Sequence, residues 1–143
     1  MQIVPMEQNE MSRYVRIFRD AFRQEPWKED WSEEDAARRL TQFMSTDTFY
    51  GLSLVEDGEP VGFILGQFEQ FFDGMRFYIQ EFCCAKRGGG YGTALMTELE
   101  RQLKERGVIR TDLLTVHGAS TEDFYARRGY HTDSASVWMY KKL

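Results

Sequence analysis

The run Arg87-Gly88-Gly89-Gly90-Tyr91-Gly92-Thr93 constrains the fold more than any other stretch of the chain, because of what lies on each side of it. Upstream, residues 77–84 (Phe-Tyr-Ile-Gln-Glu-Phe-Cys-Cys) are aromatic and apolar, bounded by turn residues and too short for a buried helix, so they read as a strand. Downstream, Leu95, Leu99 and Leu103 recur every four residues with Met96 beside them, while Glu98, Glu100, Arg101, Lys104 and Glu105 occupy the other faces. Gly107 stands where a helix C-cap belongs. The glycine run therefore joins a strand to a helix start. Main-chain N–H groups without helical partners converge in such a loop, the helix dipole adds partial positive charge, and glycine admits an anion close to the backbone. Three consecutive glycines also serve as a flexible turn, so the flanking elements carry the reading of an anion site.

The rest of the chain alternates strand and helix patterns. Ile3-Val4-Pro5 is a short first strand. Met11, Tyr14, Val15, Phe18, Ala21 and Phe22 form an i, i+3, i+4, i+7 stripe, which predicts a helix over 10–23 that ends before Pro26. Ser32 followed by Glu33-Glu34-Asp35 begins a second helix with Ala36, Leu40, Phe43 and Met44 on its buried face, ending near Ser45. Strands at 49–55 and 60–68 flank Asp57-Gly58, a hairpin signal, and Asp73-Gly74 turns the chain into the 77–84 strand, giving an antiparallel meander. After a helix over 90–106, residues 112–116 return as a strand, expected to run parallel to 77–84 because a helix intervenes. A short helix capped by Ser120 or Thr121 carries Phe124 and Tyr125. Residues 136–141 are predicted to close the chain as a strand, with Trp138 and Tyr140 explained by core or dimer packing. The expectation is one α/β domain over 1–143 with a mixed sheet and no internal repeat.

Composition excludes several alternatives. Hydrophobic residues make up 42% and aromatic residues 15%, as in a folded globular protein. No stretch approaches the roughly 20 apolar residues of a membrane span, and the first residues show neither a basic leader nor an apolar signal segment. A soluble, cytoplasmic protein is expected. A net charge of −5 argues against a nucleic-acid partner and suits a cationic substrate. The adjacent Cys83 and Cys84 point to opposite faces of a strand and do not form a disulfide framework. A nucleophilic cysteine competes here with a small apolar residue, and the second reading is favoured because His117 and His131 complete no cysteine-protease or metal pattern. No metal site is expected.

Arg87-x-x-Gly90-x-Gly92 resembles the acyl-CoA pyrophosphate loop of the GCN5-related N-acetyltransferase (GNAT) superfamily. Phe124-Tyr125-Ala126-Arg127-Arg128-Gly129-Tyr130 is similar to the Phe-Tyr-x-x-x-Gly-Phe/Tyr segment that follows the fifth strand in that superfamily, and the order and spacing of the two landmarks fit. A third stretch, Glu25-Pro26-Trp27-Lys28-Glu29-Asp30-Trp31, is similar to a Pro-Trp segment of aminoglycoside 6′-N-acetyltransferase-like members. In one respect the chain departs from the pattern: the connection Ala85-Lys86-Arg87 is shorter than the family's usual form and lacks its proline, which loosens the alignment of Phe82, Cys83 and Cys84.

The resemblance implies a mostly antiparallel mixed sheet of about six or seven strands, flanked by about four helices, whose fourth and fifth strands splay to admit acyl-CoA; ligand sites at the ends of parallel strands are general in open α/β sheets. It further implies acetyl-CoA as donor, a small amine as acceptor, and a homodimer as a family-level expectation. Cofactor contacts fall on Phe82, Cys83, Cys84, Arg87, Gly88, Gly89, Gly90, Tyr91, Gly92, Thr93, Phe124 and Arg128. Tyr125 is the candidate general acid, with a packing aromatic as the alternative. Glu81 is the candidate base, or else a residue turned to solvent by strand alternation. Trp27 and Trp31, with Glu29 and Asp30, line an acceptor pocket for a cation or simply cap the core. The expected function is N-acetyl transfer to a primary amine, the alternative a non-catalytic acyl-CoA-binding or sensing module.

Overall fold

The structure is a computed structural model that describes residues Met1–Leu143. Its sheet has five strands in sequence order, β1 (Gln2–Pro5), β2 (Phe49–Glu56), β3 (Glu59–Phe71), β4 (Gly74–Cys84) and β5 (Arg110–Leu113). Helices α1 (Met11–Arg23) and α2 (Glu33–Met44) precede β2, α3 (Tyr91–Glu105) links β4 to β5, and α4 (Glu122–Ala126) follows β5. No helix is long and apolar enough to cross a membrane.

Local chemistry explains most boundaries. The Ser32 hydroxyl accepts the Asp35 N–H at 3.0 Å and three acids occupy the first turn of α2. Asp57 and Gly58 adopt φ of 52° and 76°, the two left-handed positions that a two-residue hairpin between Glu56 and Glu59 requires. At the end of α3, Gly107 takes φ 81°, its N–H reaches Lys104 O at 3.1 Å and the Val108 N–H reaches Leu103 O at 3.0 Å, which closes the last turn.

Alternation along the strands divides the core in two. On β3, Phe63 and Leu65 face α1 and α2, where they meet Tyr14, Phe18 and Leu40, while Ile64 faces α3 and joins Leu95, Leu99 and Leu103. On β4 this alternation is broken once. Leu65 pairs with Glu81 but Gly66 pairs with Ile79, so Gln80 is an extra residue in a β-bulge. Phe77 and Ile79 lie on the α3 side, whereas Glu81 and Cys83 turn to the α1/α2 side. Gly66 is obligatory at this step, since a Cβ there would stand 2.1 Å from Tyr78 O.

The three pairings from β1 to β4 are antiparallel and β4 to β5 is parallel, with Arg76 opposite Arg110 through Ile79 opposite Leu113. The sheet has five strands, not six or seven. The fifth stops at Leu113 and does not extend to 116, because β4 and β5 part beyond Ile79 and leave residues 114–116 without a partner. Residues 136–141 form no strand either: residues 131–143 make no hydrogen bond from main chain to main chain, and Val137, Trp138, Met139 and Tyr140 expose 71–82% of their surface. An apolar, alternating segment becomes a strand only where an edge receives it, and within one chain none does. Trp138 and Tyr140 accordingly pack in no core of this chain.

Candidate active site

Gly88, Gly89 and Gly90 take φ of 81°, 69° and 78°, three successive left-handed residues that only glycine adopts without strain. The Ala85 N–H is bonded to Val61 O at 2.7 Å and the Ala94 N–H to Gly90 O at 2.9 Å. Between them, the main-chain N–H groups of residues 86–93 have no acceptor within the chain, and Gly90 offers α3 no side-chain cap. A run of unpartnered donors curled against a helix N-terminus is an anion nest. Its chemistry fits the diphosphate of a coenzyme.

Both ends of the nest are tied down. The Tyr91 hydroxyl donates to Glu56 Oε2 at 2.7 Å, holding the loop against the β2–β3 hairpin. Arg87 donates to Glu25 O at 2.5 Å, reaching across to the α1–α2 connection. Arg128 joins the two sequence landmarks: it donates to Phe124 O at 2.7 Å and to the Thr93 hydroxyl, and its guanidinium carbon lies 3.5 Å from the centre of the Phe124 ring.

A cavity of about 570 Å³ runs from the nest into the gap where β4 and β5 part. Phe22, Trp27, Phe82, Cys84, Phe124 and Tyr125 supply its apolar wall, and Thr115 and Ser120 lie on the far side. The Phe82 and Phe124 rings are 5.9 Å apart, and Phe124 meets Tyr125 edge-on at 5.2 Å. Gly92 lets the first turn of α3 approach these rings, since a Cβ would stand 3.3 Å from Phe124 and 3.4 Å from Phe82. Thr121 begins α4 without capping it; its hydroxyl donates back to Val116 O at 2.7 Å.

The Tyr125 hydroxyl has no hydrogen-bond partner in the chain. Burial, reinforced by Tyr130, pushes its proton affinity well above that of an ordinary phenol, so it stays protonated through neutral pH. Arg128 partly offsets this, and Glu81 adds a small further rise.

Glu81 is 7% exposed and its Oε1 accepts from Arg39 Nε at 2.5 Å. Burial raises the carboxyl pKa, Arg39 pulls it down and Glu29 pushes it up, for a net rise above the ordinary glutamate value. The guanidinium of Arg39 sits 4.9 Å from the Phe43 ring and 5.7 Å from the Trp31 ring. Trp31 in turn donates to Glu29 Oε1 at 2.9 Å and packs edge-on against Phe18. The two tryptophans therefore part company: Trp27, packed on Phe22, lines the cavity of the glycine loop, while Trp31 belongs to the Arg39–Glu81 side.

Cys83 is buried and Cys84 half-buried. Burial raises both thiols, Cys84 to about 11, so neither is a thiolate at neutral pH. Sequence reasoning missed Arg39 as the partner of Glu81. Its position, three residues after Ala36 and four before Phe43, sets a cation on the apolar stripe of α2, and that was a readable signal.

A splayed parallel pair, an anion nest at a helix start and a cavity between them define an acyl-coenzyme-dependent transferase architecture. The chain matches the model of the Acetyltransferase (GNAT) family over residues 12–130 and belongs to that family. GNAT enzymes take acetyl-CoA as acetyl donor, so the protein is an N-acetyltransferase. No curated protein matches the chain.

Among solved structures, a possible acetyltransferase from Clostridium difficile 630 superposes with a TM-score of 0.85 at 10% identity, over 99% of this chain and 97% of that one. An aminoglycoside antibiotic 6′-N-acetyltransferase from Acinetobacter haemolyticus gives 0.77 at 13% identity over 100% and 99%. A transcriptional regulator from Bacillus halodurans C-125 gives 0.78 at 18% identity over 98% and 99%. At these identities the likeness is one of fold.

Proposed function

We propose that the protein, as a single domain over 1–143, acetylates the primary amine of a small cationic acceptor. The observation that carries this reading is the meeting, at one cavity, of the loop of unpartnered main-chain amides over 86–93 with Tyr125, whose hydroxyl is likewise unpartnered. Acetyl-CoA supplies an acetyl group activated as a thioester, open to direct attack by a neutral amine.

The chain's own residues have distinct tasks in this reading. The amides of 86–93 and the charge of Arg87 hold the diphosphate, and the main chain of Phe82, Cys83 and Cys84 lies along the pantetheine arm. Phe124 and Arg128 brace the wall, with Thr93 fixing Arg128 to the helix start. Glu81 takes the proton that an ammonium acceptor must lose, directly or through water, and its raised pKa makes it a better base than an exposed carboxylate. Tyr125 Oη keeps a proton available for the leaving sulfur. Trp27 on the cavity wall offers an aromatic face to a cation, and the net charge of −5 suits one. The fold shared with an aminoglycoside 6′-N-acetyltransferase points the same way.

A screen of aminoglycosides, polyamines, amino acids and peptides with acetyl-CoA, following release of free thiol, tests the reading. Turnover with an aminoglycoside or polyamine is expected. Binding of acetyl-CoA with no thiol release from any acceptor would instead indicate a sensing module.

A further inference from the structure

The carboxylate of Glu81 is held from one side only. Arg39 reaches it through a single hydrogen bond, Nε to Oε1 at 2.5 Å, and neither terminal nitrogen of the guanidinium joins in. A guanidinium that serves only to neutralise a buried acid does so best by closing on both oxygens as a two-pronged pair. Here Oε2 accepts no bond from the chain and is not sealed from solvent, although Glu81 as a whole is buried. The next residues on β4, Phe82 and Cys83, line the coenzyme cavity.

Arg39 is itself fixed more firmly than a half-exposed cation requires. Its guanidinium lies 4.9 Å from the Phe43 ring and 5.7 Å from the Trp31 ring. Trp31 is anchored at three points: its indole N–H donates to Glu29 Oε1 at 2.9 Å, its carbonyl accepts from Arg19 Nε at 2.8 Å, and its ring packs edge-on against Phe18. A chain of contacts thus runs from α1 through Trp31 to Arg39 and ends on one oxygen of Glu81. A glutamate side chain left to wander among its rotamers meets a substrate only part of the time, whereas a tethered Oε1 gives Oε2 one direction.

We infer that Arg39 is a positioning residue of the acetyl transfer: by fixing Oε1 of Glu81 it presents Oε2 to the acceptor, and Oε2 takes the proton as an N–H bond of the ammonium breaks. The assignment rests on Glu81 as the base. Charge works through the same contact as geometry, because a neighbouring guanidinium favours the carboxylate form. The other titratable groups about Glu81 are Glu29 on the α1–α2 connection, Tyr125 on α4, and Tyr78 and Cys83 on β4 itself. Neither α1 nor β3 contributes one, and Arg39 is the sole cation that acts on its titration.

Thiol release from acetyl-CoA, followed against pH with the aminoglycoside or polyamine that turns over, tests the assignment. Turnover rises on the acidic side as Glu81 loses its proton. Arg39→Met should carry that limb to higher pH and lower kcat by about tenfold, with KM for acetyl-CoA unchanged. The acceptor's own ionisation is common to parent and variant and cancels in the comparison. Arg39→Lys restores a cation without the forked geometry, so the limb should return toward the parent's position while kcat recovers only in part. A role confined to stability would lower the active fraction equally at every pH and leave the limb in place, and that result overturns the assignment. Glu81→Gln separates the two ideas. If it removes the limb while Arg39→Met leaves the limb unmoved, Glu81 is the base and Arg39 does not position it. If it keeps the parent's kcat and limb, or if no acceptor releases thiol, the base and its positioning residue fall together. Should Arg39→Met not fold, Arg39→Gln, neutral yet able to donate to Oε1, takes the same test and should show the same upward shift.

Discussion

Arg39 Nε reaches Glu81 Oε1 at 2.5 Å from the face of α2 across to β4, and the two residues meet only because the bulge at Gln80 turns Glu81 away from the side that Phe77 and Ile79 share. Glu81 is thus a buried carboxylate with one guanidinium partner, which steadies its charge without cancelling the effect of burial.

Removing that partner should be felt as a pH-dependent loss of stability. Arg39→Met leaves a buried acceptor without its donor, at a cost of about 1–3 kcal/mol near neutral pH, toward the low end because Arg39 is 40% exposed and water can take its place. The pKa of Glu81 is raised in the folded protein, so its contribution to stability is fully present below the unfolded pKa and is lost as pH rises through the folded pKa. Without Arg39 the folded pKa rises further and that window widens upward. Urea midpoints of the variant and parent should therefore differ most at neutral pH and converge in acid, where Glu81 is protonated in both. A gap that stays constant with pH would show that Arg39 acts through packing alone.

Tyr125→Phe deletes one unpartnered hydroxyl and little packing, since the ring contacts with Phe82, Phe124 and Tyr130 survive. Loss of a general acid should lower kcat by about a hundredfold, with calorimetric affinity for acetyl-CoA unchanged. In the parent, turnover should not decline as pH passes the ordinary phenol value of about 10 on account of Tyr125, because burial keeps its proton in place. Unaltered kcat in the variant would remove the assignment.

The parts of this architecture that depend on neighbours in sequence were legible before the structure: the α3 stripe, the Ser32 cap, the Asp57-Gly58 hairpin and the glycine loop all follow from local chemistry. What stayed hidden depends on distant partners. One extra residue at Gln80 leaves an ordinary alternating pattern on the page, yet reverses which face Glu81 takes. Arg39 lies 42 residues from Glu81 in sequence, so no window contains the pair. Residues 114–116 and 136–141 have the composition of strands, but a strand needs an edge, and the splay of β4 from β5 withholds one from the first. The second makes no main-chain bond to any edge of the sheet, the open side of β5 included.

Cys84 lines the cavity and invites a covalent acetyl-enzyme mechanism, but a thiol raised to about 11 is almost wholly protonated at neutral pH and a poor nucleophile. Cys84→Ala should retain kcat within about threefold, and initial rates should follow intersecting, not parallel, patterns. Iodoacetamide should label the folded protein slowly. Parallel patterns together with a hundredfold loss in the variant would reinstate the thiol.

Gly90→Ala isolates the backbone contribution to coenzyme binding. A Cβ at this position meets nothing within 4 Å, so the substitution introduces no clash, and its whole effect comes from φ 78°. Holding an alanine in the left-handed region costs about 1–2 kcal/mol. In the free protein the loop can relax out of that conformation at little expense, because the amides of 86–93 have no partners in the chain to lose. The bound state has no such freedom if those amides must converge on the diphosphate, so the cost should appear as an affinity for acetyl-CoA weakened about five- to thirtyfold, with the thermal midpoint nearly unchanged. Titration calorimetry on parent and variant measures the difference directly. Equal affinities would mean that the side chains of Arg87 and Lys86, rather than the curled main chain, hold the coenzyme.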